Sequence, residues 1–331
     1  MKIAEILAGV WLVLGGAAVS AYAQPGTMKL IVPGVWFREG EMEFSHSNNI
    51  VIEMKDYLVV VDANYPSGAK AVIEDCKKLS SKPIKYVIDT HADPDHAYGN
   101  SVFTKIGATT VGYVGMLADE KRVEPKTWQQ TAGWNKSVAD LHEPGPEPPK
   151  VTYSKSPYVI TDGSRRIELY NFGYGHTRGD TFVYLPKEKV LCTGDAVVNG
   201  PYSDPKHSNM GNWPNEVRGA KKLNVKYVLP GHGPDGGAEL LDGQIQFFEA
   251  LYKAVKTAIQ EGKTLDQIVT MKNGHPMATS IRLPKNIMDK YVYPDKPDLK
   301  AWQMMRFPTQ VRNTYEEIKQ GKPWGVMADG E

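Results

Sequence analysis

The sequence predicts an α/β protein folded as a four-layer α/β/β/α sandwich with a C-terminal helical extension. Two observations carry that prediction. The chain has two β-rich halves, each accompanied by stretches of helical periodicity, and a sheet with one apolar face is stably covered by a second sheet while helices cover the outside. Composition agrees: 331 residues, 41% hydrophobic and 23% charged, supply a large core and argue against disorder.

The first residues follow the pattern of an export signal. Lys2 supplies the positive start, Ile6 to Val19 is a short apolar run, and Ala21-Tyr22-Ala23 is an A-x-A cleavage site. Gly9, Gly15 and Gly16 interrupt a run already shorter than the ~20 apolar residues of a membrane span. The expected product, cleaved after Ala23, is a periplasmic or secreted protein with no stable membrane insertion.

Beyond Gln24, the segments Leu30 to Phe37, Asn49 to Met54 and Tyr57 to Asp62 are rich in Val and Ile and read as a β-meander. Apolar residues at helical spacing (Ala71, Val72, Ile73, Cys76, Leu79) predict a helix from Ser67 to Leu79, and Pro83 introduces a strand at Ile84 to Ile88. The polar run Thr90 to His96 follows that strand directly, where α/β layers place their chemistry. Gly112 to Leu141 reads as a polar helix interrupted by Pro125, and Glu143 to Lys150 as a Pro-rich surface connection. Strands resume at Val151 to Tyr153, Arg166 to Phe172, Thr181 to Leu185 and Val190 to Cys192, so the first half's pattern returns without a fixed-period repeat.

Val198 to Asn215 reads as an ordered loop and Leu240 to Ile259 as an amphipathic helix. Thr264, an N-cap residue type, opens another helix running to Met271. The tail from Lys272 is irregular and aromatic, with Tyr291, Tyr293, Trp302, Phe307, Tyr315 and Trp324. Such side chains serve more often as core or as a homodimer surface than as a substrate box. The expected organisation is a signal peptide at 1–23, a main domain at 24–262 and an extension at 263–331.

The net charge of +1 offers no long-range pull on nucleic acid, which leaves a small-molecule substrate as the expected partner. Two cysteines, Cys76 and Cys192, are too few for a disulfide framework. With Cys76 on a helix and Cys192 in an apolar strand, they read as two separately buried thiols.

The run His91-Ala92-Asp93-Pro94-Asp95-His96 packs four potential metal ligands into six positions. Carboxylates so close repel one another, whereas a divalent cation offsets the desolvation of all four groups. Three further residues stand at strand ends beside glycines: His176 in Gly173-Tyr174-Gly175-His176, Asp195 in Thr193-Gly194-Asp195, and His232 in Pro230-Gly231-His232-Gly233. Glycine at such places lets backbone approach closely.

This series of motifs resembles the metallo-β-lactamase superfamily, whose pattern is H-x-H-x-D-H, then His, then Asp or Cys, then His. The likeness covers roughly Met28 to Leu251. It implies that His91, Asp93 and His176 hold one metal, that Asp95, His96 and His232 hold a second, and that Asp195 bridges them. The fold it implies is the sandwich above, with 24–262 as the catalytic domain. The departure is Asp93, where the family usually has His. A carboxylate oxygen lies as many bonds from Cβ as the nearer imidazole nitrogen, so two divalent ions are still expected. The added negative charge lowers Lewis acidity and favours harder ions, leaving zinc first with manganese or iron as alternatives.

By that resemblance, a hydroxide held between the metals attacks a carbonyl or phosphoryl centre while Asp95 orients it and shuttles its proton. Tyr174, Asn199 and His207 are candidate oxyanion donors. Asp at the bridging position resembles the thioesterases, lactonases and phosphodiesterases of the superfamily more than its β-lactamases. The expected activity is hydrolysis of an ester, thioester, lactone, lactam or phosphodiester. An iron-dependent redox enzyme of the same fold and a metal-binding protein without turnover are the alternatives.

Overall fold

The computed structural model describes residues 25–123, 126–134, 145–200, 204–288 and 297–328. The expected signal segment and Tyr291 and Tyr293 lie outside them. The meander begins with β1 (Met28–Val32), β2 (Val35–Arg38), β3 (Asn49–Glu53) and β4 (Leu58–Val61), each antiparallel to the next. Helix α1 (Pro66–Leu79) then crosses over to β5 (Ile84–Ile88), which lies parallel to β4. Pro66 in the first turn suits a helix start, because no intrahelical donor is lost there.

After β5 come the short helices α2 (Pro94–Ala97) and α3 (Asn100–Lys105), then β6 (Thr109–Tyr113), α4 (Val114–Val123), α5 (Lys126–Trp134) and β7 (Val151–Tyr153). The seven strands form one sheet in sequence order, parallel from β4 onward. The expected helix from Gly112 is corrected at its start: Gly112 and Tyr113 complete β6. Thr109 to Val111 pair with β5 on one side and Val111 to Tyr113 pair with β7 on the other, and sheet pairing overrides the local reading.

The second sheet holds β8 (Tyr158–Thr161), β9 (Arg166–Tyr170), β10 (Phe182–Leu185), β11 (Val190–Cys192) and β12 (Tyr227–Leu229) in the order β12-β11-β10-β9-β8. Only β11 and β12 run parallel, with α6 (Trp213–Lys221) in the connection. Val35, Phe37, Ile52, Val59, Val61 and Ile88 of the first sheet pack against Ile167, Leu169, Val183, Leu185 and Cys192 of the second. Cys76 lies in a different cluster, with α1 and α3 against the first sheet's outer face, so the two thiols are free and separately buried.

Beyond β12 run α7 (Glu239–Gln260), α8 (Leu265–Ile268), the hairpin β13 (Val269–Lys272) and β14 (His275–Thr279), α9 (Lys285–Met288), α10 (Pro297–Gln320) and α11 (Trp324–Ala328). The helix expected from Thr264 to Met271 is thus a single turn, after which β-branched Val269 and Thr270 join a strand pair. Phe248 of α7 stacks on Trp213 of α6 at 4.2 Å between centroids, and Phe307, Val311 and Tyr315 of α10 enter the same cluster over the second sheet. The layers are therefore helix, sheet, sheet, helix, with the C-terminal helices in the outer layer. No described helix is long and apolar enough to cross a membrane.

Candidate metal centre

All seven predicted ligand side chains converge at one end of the two sheets. His91 follows β5, Asp93 stands immediately before α2, and Asp95 and His96 lie on that helix. His176 lies in the β9–β10 connection, Asp195 in a 3-10 turn after β11, and His232 just past β12. Because β11 and β12 run parallel, their carboxyl ends bring Asp195 and His232 side by side.

Close backbone approach makes this possible. Gly194 has φ +50°, and a Cβ there would meet Thr90 Oγ1 at 2.4 Å; a Cβ on Gly231 would lie 2.1 Å from Asp195 Oδ1. Asn48 clamps the loop from the other side, donating through Nδ2 to the carbonyls of Pro230 and Gly233, each at 2.8 Å.

The four imidazoles form a row, with ring centroids 4.7 Å apart for His176 and His91, 4.2 Å for His91 and His96, and 5.3 Å for His96 and His232. Three are oriented from behind through Nδ1: His91 by Thr90 Oγ1 at 3.0 Å, His96 by Asp62 at 2.8 Å, and His176 by Asp180 at 3.3 Å. Their Nε2 atoms face the carboxylates. Asp93 Oδ2 lies 3.6 Å from His91 and 3.8 Å from His176, while Asp95 Oδ2 lies 3.0 Å from His232 and 3.8 Å from His96. Asp195 reaches His96 at 3.3 Å and His232 at 3.5 Å.

The donor set fits a cation. His91 Nε2 and Asp195 Oδ1 are buried without a hydrogen-bond partner, which ordinarily costs about 1–3 kcal/mol for each group. His91, His96 and Asp195 form one set with ligand atoms within 4.8 Å of one another, and Asp95, His96 and His232 form another. Asp180 also comes within that distance of His91 and His176. Its oxygens are already engaged by the Thr177 N–H at 2.6 Å, the Thr177 hydroxyl at 2.7 Å and His176 Nδ1, so it orients a ligand.

Charge sharpens the fit. Burial disfavours the Asp93 carboxylate, yet His91, His176 and His207 outweigh burial and hold it well below the usual range. Burial likewise opposes the imidazolium of His176, but Asp180, Asp93 and Asp195 push it up to about 9. His96 and His232 are raised by their carboxylate neighbours in the same way. Against an ordinary value of 6.5, the His176 contribution to stability is complete below pH 6.5 and is lost as pH rises through 9. The melting temperature of chelator-treated protein is therefore expected to fall between pH 6.5 and 9, and a flat or rising profile would contradict this. Metal binding instead needs neutral imidazoles, so metal affinity is expected to rise over the same interval.

A cavity of about 310 Å³ opens above the centre, lined by Asp93, Asp95, Asp195, His232, Tyr65 and Arg306 among others. Two expected oxyanion donors are turned to backbone carbonyls. The Tyr174 hydroxyl donates to the carbonyl of His207 at 2.7 Å, and Asn199 Nδ2 donates to the carbonyl of Pro234 at 2.8 Å; neither residue lines the cavity. Both brace loops, because closeness in sequence to a ligand does not set the direction of a side chain. His207 is buried and does not line the cavity either, but its charge acts on Asp93.

Sequence reasoning missed Asp62, Asp180 and Arg306. Asp180 carried a usable signal, a carboxylate four positions after His176 on the same turn. Asp62 ends a strand as many turn aspartates do, and Arg306 sits on a helix with nothing local to distinguish it.

The metallo-beta-lactamase superfamily model matches residues 42–232. The metallo-beta-lactamase type 2 of Bacillus cereus is 26% identical over 203 residues, covering 59% of this chain and 70% of that protein. The structure of metallo-beta-lactamase FIM-1 from Pseudomonas aeruginosa, in its mono-zinc form, superposes with a TM-score of 0.54 at 22% identity, over 69% of this chain and 97% of its own. The sec-alkylsulfatase Pisa1 from Pseudomonas sp. superposes with a TM-score of 0.62 at 16% identity, over 92% of this chain and 52% of its own. At these identities the two structures share the fold alone. The family match spans more than half of the chain and contains all seven converging side chains: the protein belongs to the metallo-beta-lactamase superfamily.

Proposed function

We propose that the protein is an exported, binuclear metal-dependent hydrolase acting on a small ester, thioester, lactone, lactam or phosphodiester. The observation that supports it most is the convergence of four imidazoles and three carboxylates, with buried His91 Nε2 and Asp195 Oδ1 making no hydrogen bond, beneath a substrate-sized cavity. In this reading His91, Asp93 and His176 would hold one ion and Asp95, His96 and His232 the other, with Asp195 contributing to both. Bound divalent metal supplies an activated water and polarises the substrate oxygen.

The chain's own residues do the rest. Asp95 would take and return the proton of the attacking water, a role that its position at the cavity wall, 3.0 Å from His232 Nε2, supports. Asp62 and Asp180 hold the imidazoles of His96 and His176 in the orientation that directs Nε2 inward. Export rests on the Ala21-Tyr22-Ala23 site.

Elemental analysis of protein purified without added metal, followed by an ester, lactam and phosphodiester panel with and without chelator, tests this reading. About two ions per chain and chelator-sensitive turnover are expected; full activity without metal would overturn it. Zinc is the first choice, with manganese or iron favoured by the charge of Asp93. Asp93→His is expected to raise the zinc share of the bound metal, and unchanged metal content and activity would remove the special role of Asp93. Iron accompanied by oxygen uptake would favour redox chemistry instead.

A further inference from the structure

Glu216 has no part in the ligand set, yet it is wholly buried on α6 against the loop that carries His176. Its Oε2 accepts the His176 backbone N–H at 3.2 Å, and a Cβ on Gly175 would lie 1.9 Å from the same oxygen. Oε1 meets no donor; the Glu216 carboxyl instead hydrogen-bonds that of Asp180, the residue that orients the His176 ring. Two carboxyls that meet in a buried place repel unless one keeps its proton. Burial and the Asp180 carboxylate push the Glu216 acid well up, so Glu216 is the partner that carries it.

The rest of α6 grips the same loop. Trp213, one turn earlier, sets its ring against the His176 imidazole, 5.1 Å between centroids. Asn212 Nδ2 donates to the Tyr174 carbonyl at 2.9 Å, and the Asn209 N–H donates to the Gly175 carbonyl at 2.8 Å. One helix and the turn before it therefore set the backbone of His176, its ring and the carboxylate behind that ring. Asp95 and His96 are carried instead by α2, and His232 by the turn after β12.

We propose that Glu216 is a positioning residue for the first metal position: it fixes the His176 backbone and the Asp180 carboxyl together, and so sets how tightly that histidine holds an ion. It acts through these two residues and touches neither ion nor substrate. The inference rests on the metal-centre reading above and deepens it, because one position then depends on α6 and the other does not.

Zinc alone is the probe, titrated from a buffered pool into chelator-treated protein, with the melting temperature of the metal-free form measured alongside. Glu216→Met keeps a similar volume and removes both polar contacts. It is expected to weaken one of two zinc ions about tenfold or more and to leave the other within about twofold. Glu216→Gln keeps an acceptor for the His176 N–H and a donor for Asp180, so it is expected to hold both ions within about threefold of the parent. His176→Ala identifies the affected ion. Added to it, Glu216→Met should cause no further loss, because residues that act through one another are not additive.

A glutamate with only a packing role would lower the metal-free melting temperature of Glu216→Met and leave both zinc affinities unchanged, which would overturn the proposal. Equal weakening of both ions, a loss in Glu216→Gln as large as in Glu216→Met, or an additive loss in the double variant would overturn it too. If Glu216→Met does not fold, Glu216→Asp, whose carboxyl is one carbon too short for both contacts, takes its place with the same expectation. A parent protein that binds no zinc would end the metal-centre reading and this inference with it, whereas two bound ions indifferent to residue 216 would end the inference alone.

Discussion

Asp195→Ala is expected to reduce bound metal to one ion or fewer per chain and to lower turnover by roughly three orders of magnitude. Asp195 is buried, and its two oxygens approach His96 at 3.3 Å and His232 at 3.5 Å. Among the described residues it also shares a candidate ligand set with His91, so its carboxylate touches both halves of the proposed centre. Without it, four imidazoles face one another with less counter-charge, and a dication loses the anion best placed to neutralise it. Metal content by mass spectrometry and turnover on a hydrolysed ester check this. Two retained ions with near-parent activity would show that Asp195 bridges nothing.

Asp62→Ala is expected to have the larger effect on stability. Asp62 accepts hydrogen bonds from the Thr90 N–H at 2.8 Å and the Thr90 hydroxyl at 3.1 Å, and its Oδ2 lies 2.8 Å from His96 Nδ1. It holds this position at φ +65°, a left-handed conformation that alanine adopts less readily than Asp or Asn. Removing one partner of a buried charge pair costs about 3–5 kcal/mol, which for a domain of this size is on the order of 10 °C in melting temperature. Loss of an orienting carboxylate should also weaken metal affinity roughly 10–100-fold. Asp62→Asn keeps the backbone preference and one acceptor, so most of its loss should appear in metal affinity. Equal metal affinity in parent and Asp62→Ala would show that His96 needs no orientation from behind.

The contrast between these two residues shows what was legible in the sequence. Asp195 stood out because a Gly-Asp pair closed an apolar strand in a chain that already held a dense His/Asp run, and metal chemistry gives such residues a shared purpose. The paired-sheet architecture was legible because runs such as Asn49 to Met54 and Val190 to Cys192 must bury both faces. Asp62 was not legible: its role depends on which nitrogen of His96 faces it, a fact of tertiary geometry. Strand β6 was hidden for a related reason, since Thr109 to Tyr113 becomes a strand through neighbours on both sides. Tyr174 and Asn199 show the converse, being adjacent to the centre along the chain but donating to backbone carbonyls. Arg306 arrives on α10, and no local pattern announces that this helix folds back to the cavity.

On that helix, Arg306 faces the cavity while Phe307, the next residue, is buried against the second sheet with Val311 and Tyr315. Altered recognition and lost cohesion are therefore one residue apart. Reshaping this wall without loss of fold is therefore confined to the cavity-facing edge of the helix, because truncating its inner edge costs packing over the second sheet.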